Sequence, residues 1–234
     1  MGWREYWNDD NPIYVNERHQ QLHCRGIADD LVRLAGELCP APATAAVLDF
    51  GCGRALEAAR VAAHCGRLVL SDSAPRVLDD LSLRFAGDPR IEVCPAAEVG
   101  ARYGAEFDLV VVNSVIQYLT REELSGLLTL LRGRLRPDGR LVVADVIPRD
   151  TGPLQDAAAL LAFATRGGFL AAALAGLART AFSDYRKLRA ELGIARYDEE
   201  EILPVFAAAG FAARRHPRNL GHNRRRMTFV ATPA

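Results

Sequence analysis

Long apolar runs are missing from this sequence. A bilayer-spanning helix needs roughly 20 apolar residues, whereas the most membrane-like region, 157–178, is interrupted by Arg166 and keeps only twelve uncharged residues, Gly167 to Ala178. The first ten residues also lack the basic stretch followed by an apolar stretch that is typical of a signal peptide. We therefore expect no transmembrane helix and no export signal, while a helix lying in a membrane interface stays open.

Cysteine is scarce and unpaired. The five cysteines are odd in number, show no Cys-x-x-Cys spacing and mostly lie in apolar segments: Cys24, Cys39, Cys52, Cys65 and Cys94. Such a set is typical of reduced thiols packed in a core and not of a disulfide framework. The sequence therefore predicts a cytoplasmic protein.

An excess of charge of one sign is absent too. The 29 basic and 29 acidic side chains balance, so the molecule has no overall field that would attract nucleic acid or an anionic membrane. Locally, residues 214–226 hold six arginines and two histidines without an acidic side chain. Such a run is usually a solvated face; the alternative is that it binds an anionic amphiphile together with the apolar region before it.

What the sequence does contain is an alternation of short apolar runs with helical segments between residues 44 and 147. Five runs are rich in Val, Leu or Ile, as strands buried on both faces should be: 45–50, 67–71, 90–94, 108–113 and 140–147. This alternation indicates strand-helix-strand units and a mostly parallel sheet. Before the fifth run, Arg136 to Gly139 has the composition of a turn.

Further elements flank this core on both sides. Glu17 to Leu38 carries apolar residues at helical spacing, and the following regions complete the chain. We expect a single domain over residues 1–234: an N-terminal arm and helix at 1–43, the core at 44–147, a helical insertion at 148–196, and a last helix with two closing strands, 211–216 and 226–231, at 197–234.

Two glycines follow the first strand directly. In Val47 to Ala55 the apolar strand leads through Asp49 to Gly51 and Gly53, where the chain must turn sharply and expose backbone to a ligand. Asp72 ends the second strand, 19 residues after Gly53, and a carboxylate there can accept both ribose hydroxyls of a nucleoside. The alternatives are an ordinary tight turn and, for Asp72, a cap on the next helix.

The loop fits an amino-acid-bearing nucleoside better than a dinucleotide. A pyrophosphate favours a complete Gly-x-Gly-x-x-Gly loop, but the sixth position here is Leu56. Asp49 stands two residues before the first glycine, where its charge suits a cationic amino group and repels phosphate. A nicotinamide-dependent oxidoreductase is therefore the less favoured alternative.

These motifs resemble those of the class I S-adenosylmethionine-dependent methyltransferases, from about Val47 to Ile147. Asp49-x-Gly51-x-Gly53-x-Ala55 is similar to the family's acidic glycine loop, with Ala55 in place of a third glycine. Three further segments match in order: Leu70-Ser-Asp72-Ser-Ala-Pro75, Phe107 to Leu119, and Leu135 to Leu141. The resemblance implies a Rossmann-like, doubly wound, seven-stranded and mostly parallel α/β sheet with an antiparallel last strand.

The same resemblance implies that S-adenosylmethionine is bound, that S-adenosylhomocysteine is released, and that no metal takes part. The cofactor contacts that it implies come from the loop and from the end of the second strand: Asp49, Gly51, Cys52, Gly53, Asp72 and Ser73. After the third strand the family usually has an acidic residue, but Ala96 stands there. Only the backbone amide of Ala97 carries over, with Glu98 as a substitute carboxylate.

Polar and aromatic residues near the strand ends are the candidates for the remaining contacts. Asn113, which ends the fourth strand, is expected to meet the cofactor, because open parallel sheets bind ligands at this edge. Gln117 and Tyr118 either face the acceptor or cap the next helix. Tyr14 is a further acceptor candidate from an aromatic arm that we expect to act, with the helical insertion, as a lid. The other aromatic residues of that arm are Trp3, Tyr6 and Trp7.

Three histidines are candidate bases. His19 and His23 lie four residues apart and share a helix face, and His222 lies in the loop between the closing strands. Methyl transfer to a hydroxyl or an ammonium group needs a base, whereas transfer to an already nucleophilic carbon or amine does not. The alternatives are packing, substrate contact, an exposed loop position for His222, and a metal role for His19 and His23 that lacks an evident third ligand.

The sequence thus predicts a methyltransferase that acts by direct displacement on a small acceptor, hydrophobic or amphiphilic. A nucleic-acid substrate is disfavoured by the zero net charge. A protein substrate and a non-catalytic cofactor-binding module stay open as alternatives.

Overall fold

A mixed β-sheet organises residues 14–180 and 193–234, which are the part of the chain that the computed structural model describes. Within those residues the sheet has seven strands in the order β3-β2-β1-β4-β5-β7-β6. Strands β1 to β5 pair in parallel, and β7 runs antiparallel to both β5 and β6. The strands are β1 Ala46–Phe50, β2 Arg67–Asp72, β3 Ile91–Pro95, β4 Phe107–Asn113, β5 Leu135–Val146, β6 Phe211–His216 and β7 Met227–Pro233. The predicted fold class is confirmed.

Helices cover both faces of this sheet. The helices are α1 Glu17–Leu38, α2 Ala58–Ala62, α3 Pro75–Phe85, α4 Val99–Arg102, α5 Arg121–Arg132, α6 Pro153–Gly167, α7 Leu170–Thr180 and α8 Glu199–Ala208, with short 3-10 helices at Pro42–Thr44, Ala96–Glu98 and Ile116–Tyr118. One core packs α1, α2 and α3 against the sheet. The other packs α5 and α8 against its opposite face. Central strands are buried on both sides for this reason, which explains their unbroken apolar sequence.

The fifth strand begins earlier than the sequence predicts. Arg136 to Gly139, predicted as a turn, lies inside β5 as a bulge: Phe107 pairs with Leu135, and Leu109 then pairs with Arg140. A β carbon on Gly139 would lie 2.8 Å from the carbonyl oxygen of Phe107. The turn-like composition therefore serves a bulge that stays against the neighbouring strand.

The helix that follows the glycine loop is short. Residues 51–57 form turns, and α2 begins only at Ala58 and ends at Ala62. Residues 51–57 belong to the loop and not to the helix, because Gly51, Gly53 and Ala55 have positive φ angles that a right-handed α-helix does not accommodate.

The insertion after β5 contains two helices in its described part. Helices α6 and α7 meet at an elbow, where Gly168 has a φ of +73°. A β carbon on Gly167 would lie 2.6 Å from the Phe169 ring and 2.8 Å from Leu22 of α1, so the elbow approaches α1 closely. Residues 181–192 of the insertion, and Trp3, Tyr6 and Trp7 of the aromatic arm, lie outside the described residues.

No helix in the described ranges is both long and apolar enough to cross a membrane. All five cysteines are free thiols, and Cys39, Cys65 and Cys94 are buried.

Candidate active site

The glycine loop leaves β1 at the carboxyl edge of the sheet. The backbone amides of Gly51 and Cys52 donate to the carbonyl oxygen of Ser71 at 2.7 and 3.0 Å, which fixes the turn against β2. Gly51 has a φ of +76°, and a β carbon there would lie 2.3 Å from Cγ2 of Val115. Glycine is therefore required at this position by conformation and by space. Ala55, in place of the family's third glycine, has a φ of +38°.

Asp49 is a buried carboxyl group without a counter-charge nearby. Its residue exposure is 9%, and within the described part of the chain no hydrogen bond reaches its carboxylate. Burial, and secondly the charge of Asp72, raise the pKa of Asp49 to about 7. A cation that entered the loop would relieve this cost, because an opposite charge favours the ionised carboxylate.

Asp72 connects the loop to the next element. One carboxylate oxygen accepts from the Gly53 amide at 2.9 Å, and the other accepts from the Ala74 amide at 2.9 Å at the start of α3. The bond to Ala74, which is itself the N-cap residue of α3, makes a short turn and not a helix cap, and the same carboxylate faces the glycine loop. Each oxygen keeps a second lone pair for a ligand hydroxyl.

The other predicted cofactor residues surround this edge. Ser73 and Ala97 are exposed, and Ala97 lies in the 3-10 helix after β3. Asn113 ends β4, and its side-chain oxygen is buried with no hydrogen-bond partner in the described structure. Glu98 is exposed and lies 3.9 Å from Arg102 on its own helical turn.

Gln117 and Tyr118 lie in the 3-10 helix that follows β4. The side-chain oxygen of Gln117 is buried and, among the described residues, has no partner. The next helix is capped by Thr120, whose side chain accepts from the Glu123 amide while the Glu123 carboxylate accepts from the Thr120 amide. The capping alternative for Gln117 and Tyr118 is therefore wrong.

Two site residues that sequence reasoning missed are Ser114 and Asp145. They follow β4 and lie near the end of β5, with φ angles of +57° and +59°, and the Ser114 hydroxyl donates to the Asp145 carboxylate at 2.8 Å. Burial raises the pKa of Asp145, and the charge of Arg226 offsets part of this rise. Left-handed non-glycine residues cost energy and cluster at functional sites. An aspartate inside the apolar strand Val142 to Val146 was the available signal.

The three predicted histidines come together. The ring centroids of His19, His23 and His222 lie 5.7 to 6.3 Å apart. Phe163 of α6 stacks on His222, and Phe169 at the elbow stacks on His19. We call the following six rings the ring cluster: Tyr14, His19, His23, Phe163, Phe169 and His222.

The imidazoles of the ring cluster favour the neutral form. Burial, as the largest cause, lowers the pKa of His23 and of His222 to about 4 each and also lowers the pKa of His19. The neighbouring imidazoles add to the effect for His23 and His222. In the described ranges no group of three or more His, Cys, Asp or Glu side chains has the arrangement of a metal site.

Tyr14 and Cys24 link the ring cluster to the glycine loop. The Tyr14 ring centroid lies 5.3 Å from that of His19 and 5.7 Å from that of His23. Its hydroxyl contacts the Cys24 thiol at 4.0 Å, and burial raises the pKa of this thiol while the nearby Leu56 backbone offsets part of the rise. The ring cluster therefore borders the loop.

The basic stretch 214–226 is divided between surface and interior. Arg226 is 11% exposed in its side chain and contacts Asp156 of α6 at 2.8 Å. Arg215 pairs with Glu199 of α8 at 3.3 Å. Arg224 and Arg225 are exposed.

The chain is similar to known methyltransferases in sequence and in fold. Residues 48–141 match the family model described as "Methyltransferase domain". Among solved structures, magnesium protoporphyrin IX methyltransferase from Synechocystis PCC 6803 with bound SAH is 16% identical with a TM-score of 0.60, over 99% of this chain and 93% of that one. The family model thus confirms the resemblance over residues 48–141, and the solved structures show the same fold. A search of curated proteins finds no match.

Two further structures show the same fold. One is N,N-8-amino-8-demethyl-D-riboflavin dimethyltransferase from Streptomyces davawensis, which is 18% identical with a TM-score of 0.59, over 90% of this chain and 54% of that one. Mitomycin 7-O-methyltransferase is 16% identical with a TM-score of 0.62, over 100% of this chain and 61% of that one. This chain thus spans little more than half the length of these two.

Proposed function

We propose that this chain, whose residues 48–141 carry a methyltransferase domain in a class I methyltransferase fold, transfers a methyl group from S-adenosylmethionine to a small-molecule acceptor. The observation that carries the proposal is the buried Asp49 carboxyl beside a glycine loop that Asp72 ties to β2. An ammonium group and a ribose are the ligand groups that this pair of carboxylates fits.

Each part of the cofactor has a residue to hold it. Asp49 binds the amino group of the methionine moiety, and the loop of Gly51, Cys52 and Gly53 exposes the backbone beside it. Asp72 accepts the ribose hydroxyls in this proposal, with Ser73 beside the adenine. Asn113 and the backbone amide of Ala97 complete the set.

The protein's work is mainly alignment and exclusion of water. When bound, the cofactor supplies the methyl group on a positively charged sulfur, which makes sulfur a good leaving group. The loop and the β4 and β5 ends hold the acceptor in line, and α6 and α7 cover it, as expected for catalysis by proximity and desolvation. His19, His23 and His222 are the bases for an acceptor that must lose a proton. This chemistry needs no metal.

Two surface features favour a hydrophobic or amphiphilic acceptor. Leu154, Leu170 and Leu174 of the insertion are 86%, 40% and 53% exposed. Arg224 and Arg225 lie beside the Asn223 side chain, which donates to Asp156 two residues from Leu154. The names of the similar structures, with protoporphyrin, riboflavin and mitomycin as their small molecules, support this substrate class. The five free thiols support a cytoplasmic location.

The experiment is a search for the methylated product. The full chain is incubated with a mixed metabolite extract and cofactor carrying an isotopically labelled methyl group, and mass spectrometry identifies any compound that gains one label. We expect at least one such product, and none with Asp49→Asn. Cofactor binding without any labelled product would instead support the non-catalytic module, and label on protein would support a protein substrate.

A second measurement tests the anionic part of the acceptor. For the product so found, Arg224→Gln with Arg225→Gln should raise the acceptor KM several-fold, and added salt should do the same. Arg226 is left in place because its charge is committed to Asp156. A KM that responds to neither change would remove the basic edge from the proposal.

A further inference from the structure

We infer that the ring cluster is the acceptor site, that it takes a flat aromatic ring bearing a hydroxyl group, and that His222 Nδ1 receives the hydroxyl proton. This inference rests on the proposed function.

The ring cluster is assembled from three separate parts of the chain. The first part is α1, which carries His19 and His23, together with Tyr14 before it. The second part is α6 with Phe163 and the elbow with Phe169, and the third is the loop between β6 and β7 with His222. His222 and Phe163 stack with centroids 4.5 Å apart and planes 13° apart, and His19 and Phe169 with 5.1 Å and 16°. Phe163 and His222 are only partly buried. Aromatic surfaces of this kind favour another flat ring over a saturated one of the same size.

One polar atom in the ring cluster lacks a partner. Nδ1 of His222 is buried and, within the described residues, makes no hydrogen bond. Leaving a buried polar atom unpaired is unfavourable, and such atoms call for a specific explanation. A hydroxyl on a bound ring would supply the missing donor.

The charges that face His222 select against a cationic acceptor. Burial lowers the pKa of His222 most, His19, Arg226 and Arg166 lower it further, and Asp156 raises it. The imidazole is therefore neutral near pH 7 and free to accept a proton. The site favours a neutral or anionic ring over a ring that bears an ammonium group, because the two nearby guanidinium groups repel a cation.

The ring cluster adjoins the glycine loop, as methyl transfer from a cofactor held by that loop requires. Tyr14 contacts both His19 and Cys24, and the Cys24 thiol is close enough to the Leu56 backbone at the end of the loop for that backbone to lower its pKa. A ring held by His222 and Phe163 would thus belong to a cluster that adjoins the loop proposed to hold the cofactor.

Methyl transfer to the acceptor hydroxyl needs no reactant other than the cofactor. The hydroxyl oxygen forms a bond to the methyl carbon as the carbon–sulfur bond breaks, and sulfur takes that electron pair. The hydroxyl proton passes to His222 Nδ1 during the same displacement, so the products are an aryl methyl ether, S-adenosylhomocysteine and an imidazolium. The lowered pKa of His222 favours the return of this proton from the imidazolium to water.

The test compares a flat alcohol with its saturated counterpart. The full chain, labelled with ¹⁵N in its histidines and saturated with S-adenosylhomocysteine, is titrated with 2-naphthol and separately with decahydro-2-naphthol while the imidazole signals are followed by NMR. We expect 2-naphthol to bind at least about threefold more tightly, as aromatic pairing implies, and to shift the His222 Nδ1 signal in the direction of a hydrogen-bonded nitrogen.

Variants separate the ring cluster from other sites. His222→Gln and Phe163→Leu should each weaken 2-naphthol binding by about two- to tenfold. His64→Gln is the matched control, because His64 is exposed and its ring bonds to the carbonyl oxygen of Arg60 in α2, away from the ring cluster. With labelled S-adenosylmethionine, wild type should form 2-methoxynaphthalene roughly 100-fold faster than His222→Gln.

The outcomes are distinct. Equal binding of the two alcohols, no binding of 2-naphthol, or variants that behave like His64→Gln would overturn the site. Binding without formation of the ether would overturn the proton transfer to His222. In each case S-adenosylhomocysteine still binds, whereas loss of its binding would contradict the proposed function. The comparison of the two alcohols uses wild-type protein and so does not depend on how a variant folds.

Discussion

At the scale of single residues, the buried Asp49 carboxyl lowers the stability of the folded protein without ligand, while the proposed function uses the same carboxyl to bind the amino group of the cofactor. Burial raises its pKa from the ordinary value of 3.8 to about 7, so the folded protein holds a proton on this group that the unfolded chain has lost. The stability that this group contributes is therefore present below pH 3.8 and is lost as the pH rises through about 7. Above pH 7 the folded protein without ligand carries the cost of an uncompensated buried charge.

Asp49→Asn should therefore stabilise the protein without ligand at pH 8. We expect a gain on the order of 1–4 kcal/mol in the free energy of unfolding, since one pKa unit corresponds to 1.36 kcal/mol. Urea denaturation of the variant and of wild type at pH 5 and pH 8 measures it. Asp79→Asn, at an exposed position of α3, is the control, and an equal effect of both substitutions would contradict the explanation.

The same carboxyl makes cofactor binding depend on pH. An ammonium ligand needs the ionised form, so affinity for S-adenosylhomocysteine should rise by up to about tenfold per pH unit below pH 7 and level off above it. Titration calorimetry between pH 5.5 and pH 8 gives the profile. A flat profile would show that Asp49 does not receive the amino group.

Some of these residues could be predicted and others could not. Asp49, Gly51 and Asp72 lie next to strand ends that the apolar runs reveal, so their proximity follows from the parallel sheet alone. Asp145, with its left-handed conformation, lies within a register shift between Val143 and Val146 of β5, which local sequence does not encode.

At the scale of elements, a partly buried ion pair holds the insertion to the sheet. Asp156 in the first turn of α6 accepts from Arg226 at 2.8 Å and from Asn223 at 3.2 Å, both next to the start of β7. The sequence had placed Arg226 on a basic surface with Arg224 and Arg225. Its pairing with a residue 70 positions away could not be read from local composition.

Arg226→Met should loosen α6. We expect a loss of ~1–3 kcal/mol in the free energy of unfolding, below the cost of breaking a fully buried pair, and faster amide hydrogen exchange along α6. Arg224→Gln, at an exposed position in the same stretch, should change stability by less than about 0.5 kcal/mol. Unchanged exchange in the Arg226 variant would mean that packing alone holds the helix.

The capping box of α5 is formed by Thr120 and Glu123, which have the Thr-x-x-Glu spacing typical of this motif. Thr120→Ala should cost about 1 kcal/mol of stability, because the Glu123 amide loses its acceptor. Thr129→Ala serves as the control inside the same helix, since its hydroxyl bonds to the Ser125 carbonyl oxygen, which already belongs to the helix. Urea denaturation should separate the two; similar losses would contradict the capping role.

At the scale of the whole molecule, the sheet was predictable and the arrangement above it was not. Strands buried on both faces have a strong sequence signal, and short connections restrict their order. The ring cluster instead joins His19 to His222, positions more than 200 residues apart in the sequence, through the packing of α6 and α7 on α1. No periodicity connects residues so distant, so only the folded chain shows that the three candidate bases share one place.

The central claim is that an acidic glycine loop and Asp72 hold an adenosyl amino acid, and calorimetry tests it most directly. Titration of S-adenosylmethionine, and of S-adenosylhomocysteine, into the full chain at pH 8 should give heat that saturates at one ligand per chain, and Asp49→Asn should abolish it while the variant stays folded. The absence of heat with both compounds, from wild-type protein that unfolds cooperatively, would contradict the account.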